Sequence, residues 1–271
     1  DMYVFRYSKR SDYAEKYFFS FENRIYRPLW TYLAELRGSS LFFYFYACNI
    51  SNYKELNKLH LKPPEFWHVM NWPKYLVWND HHYKYIRELI KFPSKIEVVG
   101  PIGYEDNSLE LPKITKKSLI LFDLQPFKLS YGIPAFCSPY WFTYDHKLRI
   151  DFYKDVHEIC TECGIELFFK RKRVSDLANS EYTKFLRDFV KNTNVHELDS
   201  DISAFRLCKH FNVVLSFPFT STAILGRYYG KESVYYDPSG KIQKYDPAAH
   251  NIDVLSKKEE LRQYIKFLCK E

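Results

Sequence analysis

From residue 25 onward, short apolar runs alternate with amphipathic segments of helix length, and this alternation limits the fold more than any single motif. The runs are "LFFYFYA" (41–47), "YLVW" (75–78), "IEVVG" (96–100), "SLILFD" (118–123), "IELFFKRKR" (165–173), "VHELD" (195–199), "VVLSF" (213–217) and "SVYYD" (233–237). Between them lie "IYRPLWTYLAELRGSS" (25–40), which reads as a helix ending at Gly38, and "HHYKYIRELIKF" (81–92), capped by Asn79 or Asp80. The other helical segments are 149–164, stopped by Gly164, then 180–192, 200–211 with Ser200 or Asp201 as cap, 220–230 and 257–270. Ser256 and Glu259 stand at capping-box spacing before the last. Strands alternating with helices predict βαβ units and a largely parallel sheet.

Residues 103–117, "GYEDNSLELPKITKK", carry no apolar period and read as a linker. The expected organisation is therefore a partial N-terminal α/β domain over 1–105 and a C-terminal Rossmann-like domain over 106–271. The hydrophobic share of 46% and the aromatic share of 19% supply enough apolar area for both cores. Two such domains facing a cleft describe the GT-B architecture of nucleotide-sugar enzymes.

Forty basic against 33 acidic residues give a formal charge of +7, which suits a mildly basic soluble protein or a surface that meets anionic ligands or an acidic membrane face. The longest apolar run, "LFFYFYACNI", has ten residues, too few to span a bilayer. No signal peptide is legible. A cytoplasmic protein is expected, with peripheral association at the membrane face. The opening "DMYVFRYSKR" suggests a piece of a longer protein. Cys48, Cys137, Cys160, Cys163, Cys208 and Cys269 are scattered, and the pair Cys160 and Cys163 has no second pair or histidine cluster to complete a zinc site. They read as ordinary thiols, and no metal or cofactor is expected.

Ligands of open parallel sheets sit beyond the carboxyl ends of the strands. The residues to read are therefore Asp123 and Gln125 in "LFDLQPF", Lys170, Arg171, Lys172 and Arg173 in "FFKRKR", Thr220, Ser221 and Thr222 in "FPFTSTA", and Asp237 in "YYDPSG". A helix N-terminus offers free N–H groups and a positive dipole end to phosphate, and hydroxyls there add donors. The plain alternative is that Thr220 or Ser221 caps its own helix. The four cations form either a solvated edge or an anion site. Asp123 is either a turn or capping residue or a site carboxylate; Asp237 is equally open to a turn. His250, in a loop, is a solvated histidine, a proton carrier or a hydrogen-bond donor to phosphate.

"SFPFTSTAILGRYYGKESVYYDPSG" resembles the signature of the bacterial surface-polysaccharide biosynthesis proteins named for their PFTS motif. Further similarity runs through "FWHVMNWPKYLVWN", "VVGPI", "ILFDLQPF", "ELFFKRKR" and "DISAFRLCKHF", over roughly residues 60–265. The resemblance implies a GT-B-like glycosyltransferase that moves a sugar from a nucleotide-sugar donor to a glycan or lipid-linked acceptor in capsule or O-antigen synthesis. It implies no nucleic-acid partner. A more distant similarity to sialyl- and Kdo-type transferases implies a CMP-linked donor, with Ser221 and Thr222 at its phosphate. "KRKR" occupies the place of their lysine-proline-histidine-proline stretch, and the histidine is missing. Base candidates for the acceptor hydroxyl are Glu65, Asp80 and Asp123. Two rival classes use the same scaffold: a sugar-nucleotide epimerase or hydrolase, and a non-catalytic nucleotide-sugar-binding module of a larger synthase.

Overall fold

The computed structural model describes residues 7–20, 27–48, 65–103, 108–114, 117–128, 145–171 and 178–270. The chain folds as two compact units, one of Asp1–Asn52 with His60–Gly103 and one of Tyr53–Leu59 with Tyr104–Glu271.

The first unit is a four-stranded parallel sheet, β1 (Lys16–Phe19), β2 (Ser40–Tyr44), β3 (Lys74–Val77) and β4 (Lys95–Val98), in that spatial order. Its helices are α1 (Leu29–Leu36) and α2 (Asp80–Leu89). Trp30 of α1 meets Tyr17 and Phe19, and Ile86 of α2 joins the core of Phe43, Phe45, Tyr75 and Val77. α1 begins after Pro28, later than its sequence pattern suggested, because proline suits a helix entry and lacks the N–H of an interior position. Gly38, at φ 89°, ends it as expected. Asn79 is the cap of α2, accepting from the His82 N–H at 2.9 Å.

The second unit is a six-stranded parallel sheet with helices on both faces. Its strands are β5 (Ser118–Phe122), β6 (Glu166–Lys170), β7 (His196–Leu198), β8 (Val213–Ser216), β9 (Glu232–Asp237) and β10 (Val254–Ser256), in the spatial order β10-β9-β8-β5-β6-β7. The helices are α3 (His146–Glu162), α4 (Ser180–Asn192), α5 (Ala204–His210), α6 (Ser221–Tyr228) and α7 (Lys257–Lys270). Residues from α3, α4 and α7 bury one sheet face: Phe152, Tyr153, Val156, Leu186, Leu261 and Ile265 pack on Leu119, Leu121, Phe169 and Leu215. Strands buried on both sides need continuous apolar runs, which is what "SLILF" and "ELFFK" are.

β1 and β10, four and three residues long, were not legible in the sequence. Each is an edge strand completed by its neighbour's ladder rather than by its own apolar period. α5 starts later than expected: Ser203, not Ser200 or Asp201, accepts from the Phe205 N–H at 3.3 Å. Before α7 the Ser256 N–H is caught by Glu260 at 2.8 Å, while Glu259 pairs with Arg262. Among the described residues no helix is long and apolar enough to cross a membrane.

Candidate functional site

In a parallel sheet of β-then-α units, every strand delivers its carboxyl end, and the next helix its N-terminus, to one edge. Register aligns that edge in a single row: Leu198, Lys170, Phe122, Ser216 and Tyr235. The amino ends of α3, α4, α5 and α6 follow the strands there, so partial positive charge collects. The unit's first strand, β5, is central; the chain winds outward through β6 to β7, then crosses to the other side of β5 for β8. The order reverses between β5 and β8, the place where open α/β sheets bind ligands. Asp123 leaves one of these strands and the segment 217–222 leaves the other.

That segment makes a strand-to-helix turn within four residues. Pro218 withdraws a ladder N–H. Phe219 is left-handed at φ 62°, a strained region for a bulky side chain. It is held there by burial of its ring edge-on to Tyr235, 5.5 Å between centroids, while the Tyr235 hydroxyl donates to the Thr220 carbonyl at 3.1 Å. Thr220 is the N-cap residue of α6, yet its side chain makes no capping bond. Its hydroxyl turns back to the Phe217 carbonyl at 3.0 Å. Thr222 is bonded inward to the buried Ser216 hydroxyl at 2.8 Å. Two of the three hydroxyls thus brace the turn, and neither caps the helix. Behind them Gly226 lets α6 lie against β8 and β9: a Cβ there would come within 2.9 Å of Val214 Cγ2 and 2.3 Å of Ser233 Oγ.

Asp123 is buried, and the Tyr182 hydroxyl donates to its Oδ1. Burial pushes its carboxyl above the usual range; Tyr182, Tyr153, Arg149 and Arg171 pull the other way. Arg149 is 1% exposed, with Cζ 3.2 Å from the centroid of the Phe217 ring. Sequence reading passed over it. The available signal was its place, three residues before Phe152 and four before Tyr153, on the apolar stripe of α3: a cation there has to be matched inside the fold.

The two described cations of the basic run, Lys170 and Arg171, are not a solvated edge. Lys170 is buried and its ammonium donates to the carbonyls of Ser200 (2.8 Å) and Arg171 (3.2 Å), pinning the chain after β7 to the end of β6. Arg171 forks onto Glu197 of β7, with Nη2 donating to Oε2 at 3.2 Å and Nε facing Oε1. Their charges are matched by protein groups. Lys172 and Arg173 lie outside the described residues, as does Cys137. Replacing Lys170 with Met should therefore cost about 1–2 kcal/mol in urea denaturation, from two carbonyls losing a charged donor. Nucleotide affinity measured on the same variant should not change.

Asp237 is fully buried in a turn of its own: Oδ1 accepts from the Ser239 N–H (3.0 Å) and hydroxyl (2.6 Å), and Oδ2 from the Ile242 N–H (2.9 Å). His250 is buried rather than solvated, at φ 53° behind a short 3-10 helix, Pro247–Ala249. Gln125 is half-buried beyond β5. Glu65 opens the 3-10 helix Glu65–Val69 of the first unit, where its side chain is outside the described residues, and Asp80 opens α2. Cys48, Cys160 and Cys208 are buried. Among the described residues no cluster of three or more His, Cys, Asp or Glu could hold a metal ion.

Two α/β units with parallel sheets, the second doubly wound around a helix N-terminus at its strand-order reversal, define a GT-B-like protein. The chain belongs to the polysaccharide biosynthesis PFTS motif proteins, whose family profile matches residues 2–265. The motif of that name is the turn at 218–221, "PFTS". Among solved structures, S. aureus MnaA with UDP is similar at 10% identity and a TM-score of 0.51, over 95% of this chain and 66% of that one. TarM is similar at 11% identity and 0.49, over 94% and 47%. The pneumococcal O-GlcNAc transferase GtfA, in complex with UDP and GlcNAc, is similar at 10% and 0.47, over 89% and 47%. The chain spans about half to two thirds of the length of these structures, and likeness at such identity concerns fold alone. No curated protein sequence matches it.

Proposed function

We propose that the second unit binds the donor of a glycosyltransferase, a nucleotide-sugar whose phosphates sit at the amino end of α6, and that the whole protein passes the sugar to a growing surface polysaccharide. One observation carries this reading: the PFTS turn stands at the strand-order reversal and opens α6 without a side-chain cap from Thr220. The first-turn N–H groups and the helix dipole then meet the diphosphate or monophosphate, with the Ser221 hydroxyl as an added donor. The same groups would stabilise the departing phosphate as the glycosidic bond to it breaks. Thr222 and Thr220 brace the turn, and Arg149 beneath Phe217 adds positive potential. Asp123, buried and bonded to Tyr182, serves as an internal post and not as the base for the acceptor hydroxyl. The acceptor is a glycan or a lipid-linked glycan at the cytoplasmic membrane face.

The test is a binding panel of CMP-, UDP-, GDP- and dTDP-sugars by calorimetry, with melting temperature recorded for each variant. Ser221→Ala should weaken binding of the accepted donor roughly five- to thirtyfold, about 1–2 kcal/mol, with little change in melting temperature. A variant that melts lower but binds normally would make the serine structural. Turnover of the donor with no acceptor present would favour an epimerase or hydrolase.

A further inference from the structure

The topology that gathers helix N-termini at the carboxyl edge gathers helix C-termini at the amino edge, where the sign of the potential reverses. A cavity of about 510 Å³ opens on that edge, lined by Thr161, Gly164, Ile165 and Glu166 on one side and Thr193, Asn194, Val195 and His196 on the other. It lies between the amino ends of β6 and β7, below the last turns of α3 and α4. None of these lining residues is Lys or Arg.

The fold shows how an ammonium serves such a place. Lys117, just before β5, donates from Nζ to the terminal carbonyls of α7, Leu268 (3.2 Å) and Cys269 (2.9 Å). α3 needs no such help, because Gly164 at φ 65° folds the chain back and the Ile165 N–H reaches the Cys160 carbonyl at 2.8 Å. α4 is different. Its C-cap Thr193 is extended (φ −128°, ψ 170°), and the Thr193 hydroxyl, rather than a backbone N–H, returns to the Phe189 carbonyl at 2.6 Å. Beside it stands Glu166. Its Oε1 faces His196 Nε2 at 2.9 Å; its Oε2 is buried and has no hydrogen-bond partner among the described residues. A buried acceptor left in that condition costs free energy unless a donor arrives. Asn194, which bonds His157 Nε2 through its side-chain oxygen at 3.1 Å, adds polarity to the wall.

We propose that this cavity binds a small ligand carrying a primary ammonium group, held by Glu166 Oε2 and the carbonyl end of α4. Three donors on one nitrogen match a carboxylate and helix carbonyls as Lys117 matches α7. An anionic ligand would instead meet the Glu166 carboxylate and the carbonyl end of α4. The site is on the opposite edge from the proposed donor site and does not depend on that reading.

The test is an NMR titration of the 15N-labelled chain with 2-aminoethanol, an ammonium at neutral pH, and with ethylene glycol, its neutral counterpart. The amine should give saturable shifts at the amides of residues 161–166 and 193–196, and the diol should not. Glu166→Gln should weaken the amine at least about tenfold, and Ser221→Ala should leave it unchanged. Asn194→Asp, which places a second carboxylate in the wall, should tighten it and covers the case in which Glu166→Gln does not fold. Absence of saturable shifts, equal shifts from the diol, undiminished affinity in Glu166→Gln or no gain in Asn194→Asp would each overturn the proposal.

Discussion

Replacing Gly226 with Ala is expected to destabilise the second unit by about 1–3 kcal/mol, although alanine is the better helix former by about 1 kcal/mol. The sign of the result is the test. On an exposed helix the change would stabilise; here the new methyl meets Val214 Cγ2 at 2.9 Å and Ser233 Oγ at 2.3 Å. Ser233 can turn aside, since its buried hydroxyl has no hydrogen-bond partner among the described residues, but Val214 sits in the core of β8 and cannot. Relief must come from α6 moving off the sheet, which drags the PFTS turn with it. Thermal unfolding should show a loss of roughly 3–10 °C, accompanied by weaker donor binding. Adding Ser233→Ala should recover part of the stability. A stabilised Gly226→Ala would mean that α6 does not lie this close to β8.

Asp123 separates two roles when changed in two ways. Asp123→Ala should cost roughly 2–4 kcal/mol, because it orphans the Tyr182 hydroxyl and leaves a small cavity beneath the sheet edge. Asp123→Asn keeps an oxygen for Tyr182 and should fold nearly as well as the parent, with donor affinity preserved. A general base replaced by an amide would instead lose about 10²–10⁴ in transfer rate with no change in stability. The acid range adds a second check. Burial raises the Asp123 carboxyl above its unfolded value, so the folded chain holds this proton to higher pH than the unfolded chain does. The contribution is complete below the unfolded value and is lost as pH rises through the folded one. From about pH 4 upward, the parent should therefore lose stability relative to Asp123→Asn in urea midpoints. A parent that gains on the amide over that range would place the folded carboxyl below its usual value.

The alternation of apolar runs and amphipathic segments was enough to read a parallel α/β fold, because buried strands and half-buried helices impose different apolar periods on the chain. Every described strand except β1 and β10 followed from that pattern, and local chemistry marked helix ends such as Asn79 before α2 and Gly38 after α1. The motif "FPFTSTA" was legible as a strand-to-helix turn for the same reason: proline, hydroxyls and the onset of an apolar helix are all local. What sequence could not carry is everything settled by neighbours distant along the chain. Strand order is one such property, and it alone puts the PFTS turn beside Asp123 at the reversal. The partners of charges are another. "KRKR" is the same four letters whether solvated, bound to phosphate or matched by protein, and only the folded chain brings Glu197 to Arg171 and the Ser200 carbonyl to Lys170. Arg149 is the clearest case. Its letter promises a surface cation, while the packing of α3 on the sheet sets it against Phe217 in the core. The local code specifies elements because hydrogen bonds and side-chain periods act within a few residues; the pairing of buried polar groups acts across the sheet, and tertiary structure decided it.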